Sequence, residues 1–399
     1  VKDEPFEPRR VFVLAVGKAS GAMARAAAEI LGGALEDGLC IIKRGHEEPP
    51  PPVETIAAGH PDPDEGSVRA AERIEEFLEG LEEGDLLLVL VSGGASALLA
   101  DVASSISLED LKQLNRALLR SGAEINEINA VRKHVSTLKG GGLVRRAAPA
   151  RVVAFLLSDV VGDDPSSIGS GLTAPDPTKL EEVLRILQKY EIEAPQSIRD
   201  YLDKGYETPK PGDTAFERLT NLIVGGGRLT AEAAAKKART LGYDPLLLST
   251  YVTGDARGVA GLHGAIVKEI MESGNPLPAP CALVSGGEAT VVVRGEGMGG
   301  PNQEFALALA VELEGVEGWG ALAVDTDGTD GPTDTAGALV TGETAPEIRK
   351  NGVKPRKALD ENDSYRALKA GNALVTTGPT GTNVNDLRVV LVSGRASPK

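Results

Sequence analysis

The chain has 399 residues, enough for two domains that each bury a core. Apolar residues make up 41% and charged residues 25%, the balance of a folded globular protein rather than a disordered or membrane-embedded one. The formal net charge of −16, from 58 acidic and 42 basic side chains, argues against nucleic acid or an anionic membrane as the main partner and leaves room for a local basic pocket.

The opening "VKDEPFEPRR" is charged and lacks the apolar centre of a signal peptide. No run of about 18 apolar residues follows. The cytoplasm is therefore the expected compartment. Cys40 and Cys281 lie far apart beside apolar runs, which reads as two small buried residues rather than a disulfide or zinc site.

A β-rich run at Val11–Val16 comes first, then a Gly-Lys turn and an Ala-rich helix. Strands are expected at Leu39–Ile42 and Val53–Ala57, separated by a PPPP stretch that suits neither helix nor central strand. Ser67 is expected to lead an amphipathic helix. "GDLLLVLVSGGASALLA" reads as an apolar strand, a Gly-Gly turn and a helix start. Ser107 and Asp110 have capping-box spacing at the head of the next helix. "ARVVAFLLSDVVGDDP" is another buried strand that ends in Ser-Asp. Residues 190–218 are polar and Pro-containing, the best place for a domain join. Beyond them strands and helices alternate again through "LTNLIVGGG", "DPLLLSTYVTGDARG", "PCALVSGGEATVVV" and a C-terminal "ALVTTGPTGTNVNDLRVVLVSG". Solid apolar strands alternating with helices predict an α/β fold with mostly parallel sheets. We place the domains at 1–215 and 216–399.

Several turns carry candidate chemistry. The "SGGAS" turn, Ser92 to Ser96, exposes bare Gly backbone between a strand and a helix, where an anion can approach. A ligand-free tight turn is the competing reading. No GxxxxGK[ST] is present, so the chain is no ordinary P-loop nucleotidase. "GEGMGG" at 295–300 fits GxGxxG between a strand and a helix, but the next strand-end acid comes about 30 residues on rather than ~20. It supplies the alternative function, a dinucleotide-dependent enzyme. Lys43 stands beside glycine just past a strand end, and Arg132, Lys133, His134 and Lys139 cluster before GGG. "DTDGTDGPTDTAG" at 325–337 fails the EF-hand register, since Asp330 falls where Gly is required and Ala336 where Glu is required. A surface turn and a magnesium-phosphate loop both remain, and the apolar strand just before it favours the second.

Taken together, "VGKASGAMA", "IIKRGH", "AGHPDPDEGS", "LVSGGASALL", "INAVRKHVSTLKGGGL", "LLSDVVGDDPSSIGSG", "GGPNQEFALALA", "DTDGTDGPTDTAG", "NDSYRAL" and "TTGPTGTNVNDL" resemble the MOFRL-type glycerate kinases, in order and over nearly the whole chain. The resemblance implies two Rossmann-like, three-layer α/β domains with an interdomain cleft. It implies MgATP-dependent phosphorylation of the 2-hydroxyl of D-glycerate, and a homodimer is compatible with it; older labels of some family members give the alternative, an NAD(P)H-dependent hydroxypyruvate reductase. In this light Lys43, Asp159 and Lys133 are the expected catalytic residues. Ser92, Gly93, Gly94, Ser96 and Arg132 are expected to hold glycerate. Gly299, Gly300, Asn302, Gln303, Glu304, Thr329 and Asn383 are expected around ATP, with Asp327 and Asp330 on Mg²⁺. One departure stands out: many relatives carry Arg where this chain has Pro301, and that Arg is a phosphate-contacting residue. Arg228 likewise replaces an Asn common in relatives.

Overall fold

The computed structural model describes residues 6–393. It divides into two compact units. One runs to Ser158 and resumes from Asp164 to Val224; the other comprises Asp159–Asp163 and the chain from Gly225 onward.

The first unit is built on β1 (Val11–Val16), β2 (Leu35–Lys43), β3 (Val53–Ala58), β4 (Leu86–Val91), β5 (Arg151–Leu157) and β6 (Leu219–Gly225), in the order β3-β2-β1-β4-β5-β6. The pairs β2/β3, β1/β2, β1/β4 and β4/β5 are all parallel. Val13, Leu14, Ala15 and Val16 are fully buried, as a central parallel strand requires. The sheet aligns the carboxyl ends of β1 to β4, so the turns after Val16, Lys43, Ala58 and Val91 share one edge.

The helix after β3 begins one turn earlier than the sequence reading. It spans Glu65–Glu79 with Asp64 as its cap, and Ser67 takes the third position. Asp64 accepts from the Ser67 backbone N–H (3.1 Å) while the Ser67 hydroxyl accepts from the Asp64 N–H (3.1 Å). The reciprocal pair satisfies two donors at once, which a Ser67 cap would not. Ser107 does cap the helix Leu108–Arg120, accepting from the Asp110 N–H.

The second unit contains β7 (Asp244–Asp255), β8 (Cys281–Thr290), β9 (Trp319–Asp325), β10 (Gly337–Thr341), β11 (Leu374–Val375) and β12 (Asp386–Val392), in the order β11-β10-β9-β12-β8-β7. The α/β class holds here too, but the expectation of a mostly parallel sheet does not. Only β7/β8 is parallel, whereas β9/β10, β10/β11, β8/β12 and β9/β12 are antiparallel. The cause is connection length. The loop 326–336 carries no helix, so β9 returns directly as its antiparallel neighbour β10. β12 then enters between β8 and β9 from the opposite direction. The helix Pro301–Glu312 is buried on nearly every side, with Phe305, Leu307, Leu309 and Ala310 in the core.

Candidate active site

The first unit gathers positive charge at its carboxyl edge. Lys18 follows β1, Lys43 ends β2, His60 follows β3 and the Ser92–Gly94 turn follows β4. Neither lysine side chain has an ion pair or hydrogen-bond partner among the described residues. Burial, followed by Lys18, Lys43 and His46, pushes the His60 imidazole below its ordinary value. Burial and the nearby ammonium groups thus act in the same direction on this ring, and the edge is one where an added anion would be favoured.

The turns themselves are sterically fixed. Gly94 is left-handed (φ +83°), and a Cβ there would lie 2.9 Å from His60 Nε2. Gly17 (φ +130°) approaches Ser92 so closely that a Cβ would lie 2.2 Å from its Oγ. Ser92 is buried and its hydroxyl accepts from the Ala19 N–H (2.9 Å), so this side chain braces the turn. Ser96 Oγ lies 2.6 Å from Ser170 Oγ. Ser96, Asn115, Arg132 and Lys139 line a cavity of about 270 Å³. Arg132 Nε donates to Asn115 (3.0 Å). Lys133 is buried, and its ammonium lies 3.6 Å from Asp176. Lys18 and His60 did not emerge from the sequence, because a single Lys or His gives no spacing signal; only the aligned strand ends bring them together.

The second unit gathers negative charge. Because β12 runs antiparallel, its first residue Asp386 pairs in register with Asp325 at the end of β9 and with Gly287 near the end of β8. Burial first, then Asp327, Asp386 and Asp330, raises the Asp325 carboxyl to about 7. Burial, Asp386 and Asp159 also raise Glu288. Asp159, Glu288, Asp325, Asp327 and Asp386 therefore share one electrostatic neighbourhood. Glu288 was missed in the sequence, where "GGEAT" reads as plain strand. Asp327 Oδ1 accepts from the Thr329 N–H and hydroxyl (2.8 Å each). Asn383 Oδ1 accepts from the Asn385 N–H (3.0 Å).

Asp330 is placed differently from Asp327. It is buried, and its oxygens accept from the Asn302 N–H (3.0 Å), the Asn302 side-chain amide (3.2 Å) and the Gln303 N–H (2.8 Å). The positive end of the helix Pro301–Glu312, expected to hold phosphates, is thus filled by the protein's own carboxylate. Asn302, Gln303 and Glu304 are all buried. Asn302 also donates to Asp386 (2.6 Å), Gln303 to Thr333 (2.7 Å), and Glu304 accepts from Arg257 (2.7 Å). Asn302 and Gln303 anchor the Asp-rich loop from behind, while Glu304 ties the helix to Arg257 and Asn362. Arg388, fully buried, donates to Asp386 and lies 5.4 Å from the Phe305 ring centre. Arg228 pairs on the surface with Glu232 (2.9 Å).

The glycines of "GEGMGG" also face protein. A Cβ on Gly295 or Gly297 would lie 2.4 or 2.5 Å from the Glu361 carbonyl oxygen, and one on Gly299 or Gly300 would meet Ser364 or Asp330. The close backbone approach that a pyrophosphate would need is taken by residues 361–364 and Asp330. This removes the structural basis of the dinucleotide reading.

Among the described residues no helix is long and apolar enough to cross a membrane, and no three His, Cys, Asp or Glu side chains are grouped to hold a metal ion by themselves.

Residues 2–203 match a domain of unknown function (DUF4147), and residues 281–386 match the MOFRL family. The D-glycerate 2-kinase of Thermotoga maritima is 43% identical over 96% of this chain and 91% of its own length. A relative from Agrobacterium vitis, provisionally named a hydroxypyruvate reductase, is 44% identical over 98% of this chain and 90% of its own. The crystal structure of the Thermotoga maritima glycerate kinase superposes with a TM-score of 0.91, covering 96% of this chain and 91% of that one. With likeness of that depth over almost its whole length, the chain belongs to the MOFRL-type glycerate kinase family.

Proposed function

We infer that this protein transfers the γ-phosphoryl group of ATP to the 2-hydroxyl of D-glycerate, forming 2-phosphoglycerate. The observation that carries the reading is the pairing, within one chain of this family, of an anion-seeking edge and a carboxylate edge. The first unit offers two unpaired lysines at strand ends, suited to a carboxylate or a transferring phosphoryl. The second offers hard oxygen ligands suited to a cation that accompanies nucleotide phosphates.

The donor set fits Mg²⁺, which commonly takes one or two protein carboxylates plus substrate phosphates and water. Asp327, with Asp325 or Glu288, would hold it. When bound, it would neutralise phosphate charge and orient the nucleotide. Asp330 is left out of that set because the helix N-terminus consumes it. Lys43 neutralises charge on the transferring phosphoryl. Ser96, Arg132 and the Gly93–Gly94 backbone position the glycerate carboxylate. Asp159 accepts the hydrogen bond of the 2-hydroxyl. Thr329 and Asn383 border the nucleotide, while Gly300, Asn302 and Gln303 act by holding the loop, and Gly299 and Glu304 by packing the helix start against residues 362–364 and Arg257. Lys133, tied to Asp176, supports the 132–134 segment rather than touching substrate.

NMR identification of the product from ATP and D-glycerate tests this directly. 2-Phosphoglycerate, absent when Mg²⁺ is chelated, is the expected result. Exclusive 3-phosphoglycerate, or NADH oxidation with hydroxypyruvate and no ATP turnover, overturns it.

A further inference from the structure

The first unit has a second cavity, of about 260 Å³, which shares Ser136 and Lys139 with the cavity lined by Ser96. One wall carries Arg145 and Arg146, from the helix Gly142–Ala147 that leads into the start of β5; the other carries Tyr201 and Tyr206. Buried Thr208 and Lys139 also line it.

Most charges around it are already matched. Lys139 pairs with Asp101, Arg146 with Glu75 (3.2 Å), and Glu207 with Lys210 (2.7 Å). Arg145 makes no ion pair or side-chain hydrogen bond among the described residues. Both guanidiniums reach the Tyr201 hydroxyl electrostatically: burial and Tyr206 raise its pKa while Arg145 and Arg146 pull it down. The cavity therefore holds one uncompensated cation, in a protein whose net charge is −16.

Size and shape narrow the ligand. The volume lies below the roughly 300–1,000 Å³ of sites for drug-sized molecules. Tyr201 and Tyr206 are in mutual contact (centroids 5.7 Å apart, 45° between planes), which leaves no slot for a nucleobase between them. A guanidinium presents a planar donor fork that matches phosphate and carboxylate oxygens, and that of Arg145 is unoccupied by other side chains among the described residues. We propose that this cavity is a binding site for a small phosphorylated carboxylic acid, held by Arg145 with the tyrosine hydroxyls as further donors.

Isothermal titration with phosphoenolpyruvate, which is neither substrate nor product of the proposed reaction, tests it on the full chain. Pyruvate serves as the unphosphorylated control. Arg145→Gln should weaken phosphoenolpyruvate binding about tenfold or more, the loss expected for one charge-assisted contact, with an unchanged melting midpoint because the side chain is exposed. Lys43→Met should bind as the unaltered protein does, and pyruvate should bind far more weakly. Any other pattern overturns the assignment: no heat up to about 10 mM ligand, affinity that survives Arg145→Gln, affinity lost in Lys43→Met, or equal binding of pyruvate.

Discussion

Lys43 shows how a single side chain can be separated from the fold that carries it. Its backbone is fixed as the last residue of β2, paired in parallel with Ala58, while its ammonium has no partner among the described residues. Replacing it with Met should leave the melting midpoint within experimental error. Turnover should fall on the order of a hundredfold, since one charge contact in a phosphoryl-transfer site is typically worth a few kcal/mol of barrier. Wild-type turnover in that variant would reduce Lys43 to a surface charge. Asp327 and Asp330 make a complementary pair of tests. Asp327→Asn should raise the Mg²⁺ concentration for half-maximal rate, read by titration at saturating ATP and glycerate, and leave stability in EDTA unchanged or slightly higher. An unchanged Mg²⁺ requirement would place the cation elsewhere.

At the scale of an element, the helix Pro301–Glu312 is the piece whose role changed most. Its sequence has the marks of a phosphate-binding start: glycines, Pro at the first turn and polar residues next. The fold points all three polar residues inward and caps the helix with Asp330 from the loop after β9. Asp330→Ala should therefore act on stability. It leaves the buried N–H groups of Asn302 and Gln303 without an acceptor, at about 2–4 kcal/mol in total. That corresponds to a fall of roughly 5–10 °C in melting midpoint for a unit of this size. A variant with a normal midpoint and a raised Mg²⁺ requirement would return Asp330 to the metal. The same anchoring explains why the loop's buried Asp330 is not interchangeable with the half-buried Asp327.

For the whole molecule, buried titratable groups set the response to pH. His263, 2% exposed, donates from Nδ1 to the Val259 carbonyl (2.8 Å) and accepts at Nε2 from Ser285 Oγ (2.9 Å), the pattern of a neutral ring. Burial first, and Arg388 second, lower its pKa from 6.5. As pH falls through 6.5 the unfolded chain takes up a proton that the folded chain refuses, so stability drops; above 6.5 both states are neutral and this contribution is flat. Asp325 and Glu288 act in the opposite sense, because their raised values favour the protonated folded state as pH falls. Comparing midpoints of the wild type and His263→Asn between about pH 7.5 and 5 isolates the histidine. The wild type should lose more than the variant, and equal slopes would mean that the ring is protonated in the fold.

What the sequence determined by itself is local. Apolar runs fixed the strands of the first unit, Ser107 announced a cap, and the order of Gly-rich motifs carried the family. Each signal needs only neighbouring residues, because strand burial, caps and turns are decided over a few positions. The tertiary structure decided everything that depends on direction and on which ends meet. The antiparallel entry of β12 between β8 and β9 carries Asp386 to Asp325 and Glu288, residues 61 and 98 positions away in the chain. Parallel alignment of β1 to β4 likewise puts Lys18, Lys43 and His60 on one edge. Strand direction leaves no mark in an apolar run, since a buried strand reads the same whichever way its neighbour points. The difference between Asp327 and Asp330, identical residues three apart, therefore had to wait for the fold that fills a helix end with one and leaves the other half-buried.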